Sequence, residues 1–234
     1  MTDRRPTLVE VGVPMRLGSI SGGRFDLAPE AVRVAVDRFV AHRPDGSSRL
    51  EELELNLERH EDIGAAASMR PGDAFGTIRD ALRSSLEDRT ALLLGGDNSI
   101  TRPGVHALVS RPGAAFDAVG LLTIDAHHDL RPLDGGLTNG NPVRALLEDG
   151  LPGRNVVQVG IQPLANPAAS AGVASGAGIT VITAEEARVR GVGRVVEEAL
   201  DDLAARVDAI YVDLDVDVLD RAFAPACPGA RPGG

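Results

Sequence analysis

The sequence predicts an α/β protein whose mostly parallel sheet is covered on both faces. Short apolar runs alternate with stretches of helical period along the whole chain. The runs are nearly continuous, as in strands buried on both sides. Polar residues suited to chemistry stand directly after three of these runs, where parallel sheets bind ligands.

The elements follow in order. Thr7–Val13 reads as a strand closed by Gly12 and Pro14. Residues 29–41 read as a helix, with Pro29 at an early position where its missing N–H costs nothing. Leu53, Leu55 and Leu57 alternate with polar residues, the period of a strand. Further strands are expected at 91–94, Val119–Ile124, 155–161, 179–182 and Ala209–Leu214. Helical patterns occupy 73–86, 142–148 and 193–207, and a short helix is expected after Thr101. Thr183 with Glu186 forms a capping box, opening a helical stretch that Gly191 and Gly193 interrupt. Glycine- and proline-rich stretches fall between elements and do not form a linker, so residues 1–234 read as one domain.

Composition narrows the function. The net charge is −10 with no basic patch, which argues against a nucleic-acid partner. Aromatic residues are too few for a base-stacking platform. Every basic side chain except histidine is arginine, which excludes a lysine Schiff base and a Walker-type lysine. A single cysteine, Cys227, permits no internal disulfide, so a reducing compartment is the default. There is no apolar signal core and no run long enough to span a membrane, so a soluble cytoplasmic protein is expected.

Three motifs carry the chemistry. Asp125-Ala126-His127-His128-Asp129 follows the strand Val119–Ile124. If the chain stays extended, 125, 127 and 129 point to a common side and bring carboxylate, imidazole and carboxylate together. Asp213-Leu214-Asp215-Val216-Asp217, with Asp220 behind, places acids at alternate positions after Ile210-Tyr211-Val212. Like charges so close oppose one another's ionisation, and a divalent cation removes that penalty; a solvated acidic turn is the plainer alternative. Gly95-Gly96-Asp97-Asn98-Ser99 follows Leu92-Leu93-Leu94 and reads either as a close backbone approach to a ligand or as a tight turn.

These motifs, in this order and spacing, resemble the arginase family (arginase, agmatinase, formimidoylglutamase). Gly12-Val13-Pro14, Gly22-Gly23-Arg24 and Pro29-Glu30-Ala31-Val32-Arg33 resemble its opening strand, loop and helix, so the likeness runs over nearly the whole chain. It implies a three-layer α/β/α sandwich and a site for two manganese ions per subunit. Carried over, Asp125 and Asp215 bridge the two ions, Asp129 and Asn98 complete one shell, and His127 and Asp217 complete the other. Four carboxylates then offset two divalent cations, a hard-ligand set that suits manganese. Such a pair, roughly 3.5–4 Å apart, activates a shared water as nucleophile.

The chain departs from the family pattern at several positions. Asn98 stands where a histidine is common, which implies one ion held more loosely. Asp213 stands where a serine is frequent, and Arg221 where a proline is. The loop 138–144 carries no proton-shuttling histidine, leaving His128 and Asp129 as the catalytic candidates beside the site.

Asp129-Leu130-Arg131, Asn139-Gly140-Asn141-Pro142-Val143-Arg144 and the segment 160–166 look most like the members acting on N-formimidoyl-L-glutamate, which yield L-glutamate and formamide in histidine degradation. That substrate has two carboxylates, and arginine binds carboxylates with a planar fork. Arg131, Asn139, Asn141 and Arg144 are therefore the candidate substrate-binding residues, with surface roles as the alternative. A guanidino hydrolase releasing urea, such as agmatinase or guanidinobutyrase, is the second reading, and an inactive metal-binding relative the third. The family implies a homo-oligomer. Its members continue past a loop like 223–234 into a further helix, a last strand and a glutamate that contacts the amidine. The chain is thus expected to lack that strand, to fold poorly and to turn over slowly.

Overall fold

The computed structural model describes residues 7–38, 56–85, 89–110 and 115–234. They divide into two compact units, Met1–Ile100 and Thr101–Gly234.

The first unit is built on β1 (Thr7–Val13), which pairs in parallel with β2 (Asn56–Arg59) on one side and β3 (Thr90–Gly95) on the other. Val9, Val11 and Val13 share one face of β1 and are buried. Glu10 is buried as well, and it is answered by Arg33 of helix α1 (Ala28–Val36). The Arg33 Nε donates to Glu10 at 2.6 Å, and its two terminal nitrogens fork onto Asp62 at 2.8 and 2.6 Å. Asp62 also accepts the Gly12 N–H at 3.0 Å. One guanidinium thus ties α1, the central strand and the turn after β2, and it holds the Asp62 carboxyl below its usual range. Helix α2 (Pro71–Ser85) buries Ala74, Ile78 and Leu82 at a spacing of four. After β3, the buried Asp97 accepts hydrogen bonds from the Gly18 N–H and from the N–H and hydroxyl of Ser99, which fixes the turn that contains Asn98.

The strands expected at Thr7–Val13 and 91–94 are present, as are helices beginning near 29 and 73, and Leu57 of the alternating stretch lies on β2. Leu53 and Leu55 lie outside the described residues, as do positions 39–41 of the first expected helix and Leu86 of the second.

The second unit is a four-stranded parallel sheet in the order β6-β5-β4-β7, made of β4 (Val119–Ile124), β5 (Val156–Ile161), β6 (Thr180–Thr183) and β7 (Ala209–Leu214). Helices cover both faces, giving the three layers. On one face, Val105 of α3 (Thr101–Val109), Val143 and Leu146 of α4 (Pro142–Asp149) and Ala174 of α5 (Ala168–Ala177) pack with Val119, Leu121 and Val156. On the other, Ala187 of α6 (Ala184–Arg190) and Val195, Ala199 and Leu203 of α7 (Val192–Ala204) pack with Leu122, Val157 and Val159. β4 and β5 are buried on both sides because both sides are covered, and apolar there except for Thr123 and Gln158.

The capping box at Thr183 and Glu186 forms as expected. Gly191, at φ 90°, separates α6 from α7. Helix α5 gave no periodic signal, because its sequence Ala-Ala-Ser-Ala-Gly-Val-Ala-Ser-Gly-Ala has no apolar–polar contrast. The left-handed Gly178 ends it.

Removing Arg33 leaves the buried Glu10 carboxylate without its closest cation. Arg33→Ala is expected to lower unfolding stability by about 3 kcal/mol, read as a drop in urea midpoint. Arg33→Ala combined with Glu10→Gln should recover part of that loss; if the double variant is no more stable, the unpaired charge is not its cause.

Candidate metal centre

The site is assembled by the pairing of β4 with β7. Ile124 lies opposite Leu214 in register, so Asp125 and Asp215 follow side by side where the two strands end. The ladder continues a step further, with the Asp215 N–H donating to the Ile124 carbonyl at 3.0 Å and the Asp125 N–H to the Val159 carbonyl at 3.0 Å.

Both strands then turn in the same way. The Asp125 carboxylate accepts the His127 N–H at 2.7 Å, and the Asp215 carboxylate accepts the Asp217 N–H at 2.9 Å. Each is an Asx turn, the local habit of aspartate at the end of an element. The extended course expected for 125–129 is therefore not what gathers these residues: the chain turns at Asp125, and Asp129 sits in the left-handed region at φ 53°. The turns bring His127 Nδ1 to 2.9 Å from Asp217 Oδ2 and 3.5 Å from Asp125 Oδ1. Asp217 also accepts the Ala126 N–H at 3.4 Å.

Two overlapping groups of potential ligand atoms result, Asp125–His127–Asp217 and Asp215–Asp217–Cys227, each with its atoms within 4.8 Å of one another. Cys227 had no signal in the sequence beyond standing in the proline-rich stretch 223–234. Glycine is required two residues later, because a Cβ at Gly229 would run into the Asp217 carboxylate.

Burial sets the electrostatics. It pushes the Asp125 carboxyl well above its ordinary value, and the charges of Asp129, Asp215 and Asp217 push the same way. Asp215 is raised to about 7 by burial and by Asp217. Burial opposes ionisation of Asp217 most strongly, but the hydrogen bond and charge of His127, with the bonds to Asp125 and the Ala126 N–H, together outweigh it and hold this carboxyl low. His127 is raised to about 10 by its hydrogen bonds to Asp125 and Asp217. Burial and the two acids raise the Cys227 thiol. The imidazolium is thus the local counter-charge for a crowd of carboxylates. Carboxylate oxygens with a single imidazole form a donor set that fits a hard divalent cation.

A model of the arginase family matches residues 7–234. This chain belongs to the arginase family. It is 36% identical over 232 residues to a formimidoylglutamase of Halalkalibacterium halodurans, an alignment covering 96% of this chain and 70% of that one. It is 33% identical over 234 residues to an N(1)-aminopropylagmatine ureohydrolase of Thermus thermophilus, covering 99% and 74%. The crystal structure of formimidoylglutamase from Bacillus subtilis matches with a TM-score of 0.84 and 31% identity, covering all of this chain and 73% of that one.

The other residues singled out in this arginase-family chain occupy varied settings. Asn98 lies on the turn Asn98–Ile100 of the first unit. His128 is buried, and its Nδ1 shares a 2.7 Å hydrogen bond with Gln158 Oε1. Asn139 is half-buried in the loop before α4. The Asn141 side chain is engaged within that loop: it accepts from the Thr138 N–H at 2.8 Å and donates to the carbonyls of Pro132 and Gly136 at 3.2 and 2.9 Å. Arg131 is exposed and lies over Gly140. Arg144 donates from Nε to Glu148 at 2.8 Å. On β7, Asp213 accepts the Thr101 hydroxyl at 2.6 Å.

These protonation states give metal uptake a definite pH dependence. A metal binds neutral imidazole and ionised carboxylate. With His127 at about 10, the metal-free site carries a proton there throughout the neutral range, and Asp215, at about 7, carries a fraction of another. Metal uptake at pH 7 should therefore release more than one proton. As pH falls below about 10, affinity should drop about tenfold per pH unit from His127 alone, and more steeply below pH 7. Calorimetry in two buffers of different ionisation enthalpy measures the protons directly, and none released would contradict the assigned states.

Proposed function

We propose that this arginase-family hydrolase of amidine C–N bonds converts N-formimidoyl-L-glutamate and water to L-glutamate and formamide, using two manganese ions. The observation that carries the reading is the meeting of the Asp125 and Asp215 turns, with His127 and Asp217 in contact between them. Its support on the substrate side is the likeness to formimidoylglutamases over nearly the whole chain.

Two divalent cations held by these residues would supply Lewis-acid activation of a water and of the amidine group. In this reading Asp125 and Asp215 would serve as ligands common to the two ions, with His127, Asp217, Asp129 and Asn98 as the further ligands. The assignment of Asn98 rests on its motif position alone. Asp129 stands close enough to Asp125 for its charge to oppose that residue's ionisation, as expected of two ligands to one ion. His128 supports the motif from behind through Gln158. A substrate carboxylate is gripped by Arg144, whose Nε is engaged with Glu148 while its terminal nitrogens offer the fork, or by Arg131. Asn141 shapes the loop that presents them.

The protein is further proposed to act in the cytoplasm as a homo-oligomer. Among the described residues no helix is long and apolar enough to cross a membrane. A guanidino hydrolase is the second reading, favoured by the likeness to the Thermus ureohydrolase.

Incubating the manganese-loaded protein separately with N-formimidoyl-L-glutamate, agmatine and guanidinobutyrate decides between them. Formamide from the first alone is expected. Urea from either of the others would transfer the chain to the second reading, and no product from a folded, metal-loaded protein would make it an inactive relative. Arg144→Ala should raise KM for N-formimidoyl-L-glutamate about tenfold or more, the scale of a lost charge-assisted hydrogen bond, with kcat little changed. An unaltered KM would remove Arg144 from the binding site.

A further inference from the structure

The backbone on both sides of His127 is held by a single side chain from the loop that follows the neighbouring strand β5. Asn166 lies beyond the end of β5, in the loop before α5. Its Oδ1 accepts the His128 N–H at 2.9 Å, and its Nδ2 donates to the Ala126 carbonyl at 2.9 Å and the Gln162 carbonyl at 3.3 Å. Taking a donor at 128 and an acceptor at 126 reproduces what a neighbouring strand would offer residue 127. The regular ladder has stopped by then: β4 ends at Ile124, and the last backbone bond is from the Gln162 N–H to the Ala126 carbonyl at 3.1 Å.

A second carboxamide acts on the next residue. Gln158 is fully buried on β5; its Nε2 donates to the His128 carbonyl at 3.0 Å while its Oε1 pairs with the His128 ring. Between these contacts His127 has little freedom besides its own two side-chain torsions.

The loop that carries Asn166 is shaped for this purpose. Leu164 is in the left-handed region at φ 63° and fully exposed, so no packing of its side chain accounts for a conformation that costs about 1 kcal/mol or more. The bonds from Asn166 to Gln162 and Ala126 close the turn around it. The carboxamide supplies its donor and its acceptor from two separate atoms: alanine supplies neither, a serine hydroxyl offers both on a single atom, and an aspartate would set a carboxylate against the Ala126 carbonyl.

We propose that Asn166 is a positioning residue that fixes the His127 backbone so that its imidazole is already oriented for the metal. The proposal rests on the reading of His127 as a ligand. Groups that orient a ligand typically change metal affinity by about 10- to 100-fold when removed.

The test is a double-variant cycle on manganese affinity, read from the spin-resonance signal of free Mn2+, in the full chain with Asn166→Ala, His127→Ala and both. Asn166→Ala is expected to weaken the affinity of one ion by at least about tenfold, to leave the melting temperature of the metal-free protein nearly unchanged, and to add nothing in the His127→Ala background. Equal losses in both backgrounds would mean that Asn166 acts on the fold at large and would overturn the proposal, as would unchanged affinity in Asn166→Ala. If His127→Ala itself binds manganese normally, the ligand reading fails first and the proposal with it. Should Asn166→Ala not fold, Asn166→Ser is read against the same outcomes.

Discussion

Repulsion between carboxylates where water scarcely reaches is the constraint on which this architecture turns. Asp125 and Asp215 emerge side by side from the ends of two paired strands, with Asp217 and Asp129 adding their charge. Nothing about a stable fold asks for this, since each buried charge costs several kcal/mol unless matched. In the metal-free protein the match is partial: an imidazolium between Asp125 and Asp217, and backbone N–H groups turned onto Asp125 and Asp215. The rest of the second unit is arranged to keep that density in place. Apolar layers on both faces of the sheet hold β4 rigid, and side chains behind the motif hold its backbone.

The sequence disclosed the fold most clearly where packing is simplest. β4 and β7 were legible to the residue: β4 as an apolar run buried on both faces and closed by Asp125, β7 as the run Ile210-Tyr211-Val212 leading into alternating aspartates. Helix α5 was invisible for the opposite reason, since alanine, serine and glycine leave no stripe to read. The acids and His127 were legible as donors, but the way they meet was not. Spacing suggested an extended strand with alternate residues pointing together, whereas the observed turn depends on side-chain-to-backbone bonds that a pattern of residue types does not encode.

Long-range partnerships were the other gap. Nothing local marks Cys227 as the neighbour of Asp215, because about a dozen residues of turns lie between them. Nor does anything mark Gln158 as the partner of His128, since a polar residue inside a strand reads equally well as an irregularity. Arg33 belongs to the same class: its three acceptors come from β1 and from the turn after β2. Such residues become conspicuous only when a buried charge or amide is required to have a partner.

The adjacency of β4 and β7 has a bearing on how the molecule is made. These strands are neighbours in the sheet, yet β5, β6 and four helices separate them along the chain. A contact of such long sequence separation forms slowly, because the intervening chain must be ordered or looped before the pairing is rewarded. Half of the acidic cluster comes from each strand, so during folding the cation site does not exist until the sheet has closed. An ion cannot act as an early template. A divalent cation bound there would trap a nearly finished structure and would slow unfolding far more than it speeds refolding.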